Sequence, residues 1–359
     1  MRISKPQLIL KRFRQGKRGA ILPAESIEML SREYGIHILN FEEVSKRDHV
    51  HDSGSFLVET EKGKMILREH YRNACEPSLL YEYSLLQFLL NKNFKVPRPL
   101  LTRDGKSFLK IGEKYYVFFD FIPGYMYRDY FMVKRDKIKY IEQAAETLGR
   151  FHHSVKDFKP EGQKPYSNYK ETKKRMESFY DFVKNKPESD AFDYFFLNRY
   201  NFLMELLNHL GEVFESFEPL QKCIVHEDFG PYNLIFKDGR LAGILDFMDA
   251  HLDWRARDVV FSLWIFTDTR KGYYDENLMR LFFHAYQTHC HITSDEMDVM
   301  ADLFCLKRLN EMPQYLTAHY IEDGNDPLYP RMFTDFVNEI QWHRENKEHL
   351  IKSCIKCMK

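Results

Sequence analysis

The apolar and polar positions of the first third of the chain read as short strands around two helices. Ile36 to Val44, Ser55 to Thr60 and Lys64 to Glu69 are strand-like, parted by a turn at His51 to Gly54 and another at Glu61 to Gly63. They predict a small antiparallel sheet. Ahead of it, Pro23 and Ala24 lead into Glu25 to Tyr34, where Ile27, Leu30 and Tyr34 recur at helical spacing and Gly35 supplies the stop. Behind it, Pro77 opens a second helix to about Leu90, striped by Leu79, Leu80, Tyr83, Leu86 and Leu90 with Glu82 near the stripe's edge. Val96-Pro97-Arg98-Pro99 breaks that helix. Two further strands follow, Ser107 to Ile111 and Lys114 to Phe121, and Ile122-Pro123-Gly124 closes the lobe.

Beyond this point the period is helical over Ile138 to Val155, Lys170 to Lys184, Tyr194 to Phe217 and several segments between Asp258 and Cys354. One interruption stands out. Asn233-Leu-Ile-Phe reads as a strand, Lys237-Asp-Gly-Arg240 as a two-residue turn and Leu241 to Phe247 as the returning strand, which brings Asn233 and Asp246 near each other. The expectation is an α+β chain with a small antiparallel lobe and a larger helical lobe. Its parts would be an N-terminal arm (1–24), a first lobe and hinge (25–121) and a helical second lobe carrying the hairpin (122–359). No unit of twenty to fifty residues repeats, and the polar stretch Lys156 to Asn168 is the one linker-like segment.

Composition narrows the function classes. The 359 residues carry 53 Lys or Arg against 53 Asp or Glu, so no global field favours nucleic acid or a membrane surface. Residues 1 to 18 hold seven Lys or Arg and no acid, which reads as a solvated basic arm. The start lacks a secretory core and no run reaches the roughly eighteen apolar residues of a membrane span, so a cytoplasmic address is expected. The six cysteines have no framework spacing, as for reduced thiols. Cys354 and Cys357 form a C-x-x-C without the second ligand pair that a zinc site needs.

The chemistry gathers between Val225 and Asp246. Asp228 and Asn233 are five residues apart, the spacing at which a kinase loop places a hydroxyl-orienting Asp and a magnesium-binding Asn. The hairpin then adds the carboxylate of Asp246, and oxygen donors of this kind suit magnesium.

The run His226-Glu-Asp-Phe-Gly-Pro-Tyr-Asn233, then Gly243-Ile-Leu-Asp246-Phe, then Arg257-Asp258-Val-Val, resembles the motifs of the aminoglycoside phosphotransferase and choline kinase-like superfamily. Homoserine kinase members are similar as well, especially around Leu241 to Ala250 and Trp264, as are spore-coat members. Ser84-Leu-Leu-Gln-Phe-Leu-Leu with Val96-Pro-Arg-Pro resembles the family's regulatory helix and the strand entry after it. Phe118-Phe-Asp-Phe-Ile-Pro-Gly124 resembles its hinge, and Leu148-Gly-Arg-Phe-His152 the helix before the catalytic loop. The likeness covers roughly residues 36 to 270.

The resemblance implies a bilobal protein-kinase-like fold and an ATP- and Mg2+-dependent transfer of phosphate to the hydroxyl of an aminoglycoside, amino alcohol, homoserine or sugar. Asp228 would be the base and His226 would support the loop. Asn233 and Asp246 would hold the metal, and Arg68, paired with Glu82, would take the position where relatives carry a phosphate-binding Lys. The backbone of Phe119, Asp120 and Phe121 would meet adenine. Ser53, Gly54 and Ser55 would form the phosphate turn, which has a single glycine. Asp258 could be a third acid, but in the family pattern it more often braces the loop.

Several residues read two ways. His152 and His153 are metal ligands or packed histidines, and Trp254, Trp264, Tyr315, Tyr320 and Trp342 are an aromatic cage or core. Asp249, Asp253, Asp258, Glu311, Glu322, Asp323 and Asp326 either line a site for a cationic acceptor or are surface charges. The chain as a whole is either an active kinase or a catalytically silent structural or binding relative.

Overall fold

The computed structural model describes residues 22–45, 53–70, 74–126, 134–164, 169–215, 220–267, 274–322 and 326–358. The basic arm up to residue 21, the turn residues His51 and Asp52, and Asp323 lie outside the described residues. Two compact units alternate along the chain. A sheet unit comprises Met1–Met132, Asp157–Lys164 and Pro231–Met248, and a helical unit comprises Val133–Lys156, Pro165–Gly230 and Asp249–Lys359.

In the sheet unit α1 (Ala24–Tyr34) ends where Gly35 turns left-handed, and its buried face carries Leu30 and Tyr34. Strands β1 (Ile38–Ser45), β2 (Ser53–Thr60), β3 (Gly63–His70), β4 (Leu109–Ile111) and β5 (Lys114–Asp120) form an antiparallel sheet in the order β1-β2-β3-β5-β4. Phe56, Val58, Met65, Leu67, Tyr116 and Phe118 alternate onto one face and pack with Leu22, Leu30, Tyr34 and Ile36. Ser53 and Gly54, expected in the turn before β2, are strand residues. Ser53, Gly54 and Ser55 already pair with His70, Glu69 and Arg68, because β3 is as long as β2 and the ladder runs to its end.

Helix α2 (Glu76–Asn91) starts at a capping box between Cys75 and Ser78, with proline in its first turn. Its buried set differs from the expected stripe: Leu80 is exposed, while Tyr81, Glu82 and Leu85 are buried. A carboxylate tolerates that place only with a partner. A second, three-stranded sheet joins β6 (Tyr125–Met126), β8 (Leu234–Lys237) and β9 (Arg240–Ile244) in the order β6-β8-β9. Asp238 (φ 51°) and Gly239 (φ 74°) make the expected hairpin turn.

Strand β9 stops at Ile244 rather than running to Phe247. The amide of Ile244 donates to the Lys95 carbonyl (2.8 Å), that of Leu245 donates to the Asn233 carbonyl (2.8 Å), and Asp246 then turns left-handed at φ 65°. Asp246 is therefore a turn residue.

The helical unit contains α3 (Lys134–Ser154), α4 (Tyr169–Lys184), α5 (Ala191–Glu215), the two-stranded sheet of β7 (Lys222–Val225) and β10 (His251–Trp254), α6 (Arg255–Thr267), α7 (Glu276–Gln287), α8 (Ser294–Asp298), α9 (Met300–Thr317) and α10 (Leu328–Met358). All thirteen residues of α6 are buried, so the unit is built around it. α6 packs on α3, α7, α9 and β7, while α9 pairs with α10 and α3 with α7. Cys354 and Cys357 are buried free thiols on α10, and Cys357 Sγ sits 3.3 Å from the Glu276 carbonyl oxygen. Among the described residues no helix is long and apolar enough to cross a membrane.

Candidate active site

In the sheet unit three charged side chains converge. Arg68, on β3, donates to Glu82 Oε1 at 3.1 Å, and its other terminal nitrogen lies 3.9 Å from Asp246 Oδ1. The guanidinium also stands over the Phe119 ring, 5.5 Å from its centroid. Glu82 is almost fully buried and Arg68 nearly so, whereas the Asp246 side chain is 42% exposed. The pair thus fixes the cation from behind and leaves the acid open in front. Arg68 is held at one end and has reach at the other.

Asn233 closes a short 3₁₀ turn (Pro231–Asn233), is buried, and is pinned to Leu245 through its carbonyl. The side-chain amide of Asn233 and the half-exposed carboxylate of Asp246, on residues drawn together by the Leu245-to-Asn233 backbone hydrogen bond, are hard-oxygen donors of the kind that suits magnesium. At the predicted hinge the amide of Asp120 donates to the Arg98 carbonyl (3.1 Å) and Phe119 still lies in the ladder opposite Ile66. Phe121 follows the strand and is exposed.

In the helical unit the loop after β7 is bound to α6. Both oxygens of Asp258 accept from the loop backbone, Oδ2 from the amide of His226 (2.8 Å) and Oδ1 from the amide of Glu227 (3.1 Å). His152 Nε2 lies 3.0 Å from the same Oδ2, and its Nδ1 lies 2.8 Å from the Tyr286 hydroxyl. Burial alone would raise the Asp258 pKa, but the His152 contact and the two nearby imidazoles outweigh it and hold the group below the usual carboxylate range. His152 is thereby a packed, hydrogen-bonded histidine, and Asp258 a brace. His153 is exposed.

The His226 ring is buried, with Nδ1 3.4 Å from the Asp228 amide. The Gly230 amide donates to the Asp228 carbonyl (2.8 Å), and Ser262 Oγ donates to that of Phe229 (2.9 Å). These bonds present Asp228, partly exposed, at the end of a fixed loop.

Sequence reasoning missed what holds Glu227. This residue is left-handed at φ 72°, a conformation that costs a non-glycine residue about 1–2 kcal/mol. Its Oε1 accepts from Arg257 (2.7 Å) and from Lys307 (3.0 Å). Arg257 also donates to Asp253 (2.8 Å), while Lys307 pairs with Glu311 at 2.7 Å. Lys307 is fully buried; burial would lower its pKa, but Glu227 and Glu311 push it up instead. Arg257 is part of the Arg257-Asp258-Val-Val motif, but Lys307 is eighty positions from Glu227 and carries no local signal.

The same pairings account for three of the seven candidate acceptor carboxylates. Asp253, Asp258 and Glu311 each have an internal cation or histidine partner. The aromatic residues pack likewise: Trp264 on Phe304 and His343, Trp254 on Phe214, and Tyr315 on Phe336.

An antiparallel sheet with the helices α1 and α2, a helical remainder, and a loop–hairpin carrying Asp228, Asn233 and Asp246 define a kinase-like fold. The model of the family described as "Phosphotransferase enzyme family" matches residues 46–297, and the chain belongs to that family. It is a small-molecule phosphotransferase. Among relatives, a homoserine kinase of Phenylobacterium zucineum is 24% identical over 221 residues, covering 60% of this chain and 62% of its own length. A homoserine kinase of a Bradyrhizobium species is 22% identical over 302 residues, covering 82% and 85%. The chain thus spans under two thirds of the first relative and most of the second. Among solved structures, the amicoumacin kinase hAmiN in complex with AMP-PNP, Ca2+ and Ami superposes with a TM-score of 0.67 at 15% identity, covering 89% of this chain and 93% of that one. That likeness speaks for the fold.

Proposed function

We propose that the protein transfers the γ-phosphate of ATP, with Mg2+, to a hydroxyl of an aminoglycoside, amino alcohol, homoserine or sugar. The observation that carries this is the placement of Arg68 between buried Glu82 and half-exposed Asp246. A cation anchored from behind and facing an open carboxylate is suited to gripping phosphate oxygens beside a metal. The homoserine kinases and the amicoumacin kinase with its AMP-PNP and Ca2+ support the same reading.

In this reading Asn233 and Asp246 hold the metal, which when bound would neutralise charge on the phosphate oxygens. Arg68 neutralises and orients the phosphate chain. Asp228 accepts the proton of the acceptor hydroxyl as its oxygen bonds to the γ-phosphorus and the bond from phosphorus to the bridging oxygen breaks, releasing ADP. Asp258, through the amides of His226 and Glu227, fixes the loop so that Asp228 spends no binding energy on ordering.

The test is a panel of amino sugars, choline, homoserine and hexoses with ATP and Mg2+, repeated with Asp228→Ala and Asp246→Ala. Removal of the base should cost roughly 10²- to 10⁴-fold in kcat while the melting temperature stays near wild type. Full turnover by either variant refutes the assignment. A wild-type protein whose melting temperature does not rise with millimolar ATP and Mg2+ would instead be a silent relative.

A further inference from the structure

The segment Asp157–Lys164 reads from its sequence as a polar linker, but it belongs to the sheet unit and is docked along α2. Phe158 packs its ring against Tyr81 (6.0 Å between centroids) and Phe88 (5.3 Å). The Glu161 amide donates to Ser84 Oγ (3.1 Å), and the Gln163 amide donates to the Pro77 carbonyl (3.1 Å). Gly162 passes so close to α2 that a Cβ would overlap the Pro77 carbonyl oxygen, and its φ of 79° suits glycine. The strap ends at Lys164, whose Nζ donates to the carbonyl of Met248, two residues beyond Asp246.

These contacts close a ring. Asp246 faces Arg68, Arg68 is bound to Glu82, Glu82 is on α2, α2 carries the strap, and the strap returns through Lys164 to the chain just past Asp246. On its upstream side the Asp246 turn is tied by the Leu245 amide to Asn233. Downstream it is tied by Lys164. Since β9 ends at Ile244, no ladder hydrogen bond fixes Asp246 itself, and a left-handed turn held at both flanks is a defined one.

We propose that Lys164 is a positioning residue for the metal-binding turn, setting the direction of the Asp246 carboxylate from behind rather than touching the nucleotide. The inference rests on the kinase reading above. Partners that hydrogen-bond a metal ligand directly are worth about 10- to 100-fold in metal affinity, and Lys164, which acts on the backbone two residues past Asp246, is assigned the lower end of that scale. Arginine at this position keeps both the charge and a donor long enough to reach the carbonyl.

The experiment uses the full chain, with Mn2+ binding in the presence of AMP-PNP measured by water-proton relaxation, alongside kcat and the KM for ATP. Lys164→Met should weaken Mn2+ binding at least tenfold with little change in nucleotide affinity in the absence of metal. Lys164→Arg should restore most of it, and Gly162→Ala, which displaces the strap without altering a charge, should reproduce the loss. Unchanged Mn2+ affinity in Lys164→Met overturns the proposal, as does a loss confined to nucleotide affinity, which would make Lys164 a phosphate contact. A wild-type protein that binds neither Mn2+ nor AMP-PNP overturns the kinase reading itself, a result distinct from a wild type and variant that bind alike.

Discussion

Asp258 and His226 are joined through the backbone: the amide of His226 donates to Asp258 Oδ2 at 2.8 Å, across thirty-two positions of sequence. The carboxylate has two loop amides and one imidazole around it and is fully buried. Asp258→Asn turns one of its oxygens into a donor facing another donor. The expected loss is about 3 kcal/mol or more of stability, the scale for breaking a buried charged network. Thermal unfolding reads it, and kcat should fall with it because the Asp228 loop loses its anchor.

Arg68 and Glu82 separate by the kinetic parameter they move. On the proposed reading Arg68→Met would remove a charge-assisted contact to phosphate worth roughly 1.5–3 kcal/mol, so kcat/KM for ATP should drop by about one to two orders of magnitude. Glu82→Gln keeps a hydrogen-bond partner for Arg68 and should cost less. Steady-state kinetics with ATP varied check the ranking.

Glu227 and Lys307 should be strongly coupled. Lys307→Met leaves Glu227 with Arg257 as its cation partner among the described residues, Glu227→Gly removes the acid and relieves the left-handed strain, and the double variant should be more stable than the sum of the two losses. A double-mutant cycle of unfolding free energies measures the coupling, expected at about 1–3 kcal/mol. Additive losses would contradict it.

Two histidines predict an acid sensitivity that starts early. Burial, aided by Arg68 and Lys164, lowers the His70 pKa to about 3, and burial lowers that of His343 to about 3 despite its bond to the Glu339 carbonyl. The unfolded chain takes up these protons near pH 6.5 and the folded one near 3, so stability is complete above 6.5 and is lost as pH falls through that window. Each contributes a slope of about 1.4 kcal/mol per pH unit. Between pH 6.5 and 5, where most carboxylates remain ionised, His70→Gln should flatten the fall in melting temperature.

Local chemistry was legible in the sequence. The Asp238-Gly239 turn, the strands around Glu61 and Gly63, and the facing of Asn233 and Asp246 follow from residue types a few positions apart. What escaped depended on partners far along the chain. β9 gives way at Ile244 because its amide finds Lys95, Glu82 leaves the helix edge for the interior because Arg68 meets it, and Glu227 accepts a strained backbone because Lys307 arrives from α9. The polar composition of Lys156 to Asn168 concealed a docked strap, since its anchors are backbone amides and one phenylalanine.

The alternation of the two units along the chain also bears on biosynthesis. The sheet unit takes its last segment from Pro231–Met248, so at a ribosome its first 132 residues wait for nearly a hundred more before the hairpin can join them. Neither unit corresponds to one continuous stretch that a gene fragment could encode. A nascent chain stalled before Leu234 would display an incomplete sheet unit, with β6 lacking its β8 neighbour and its edge unpaired.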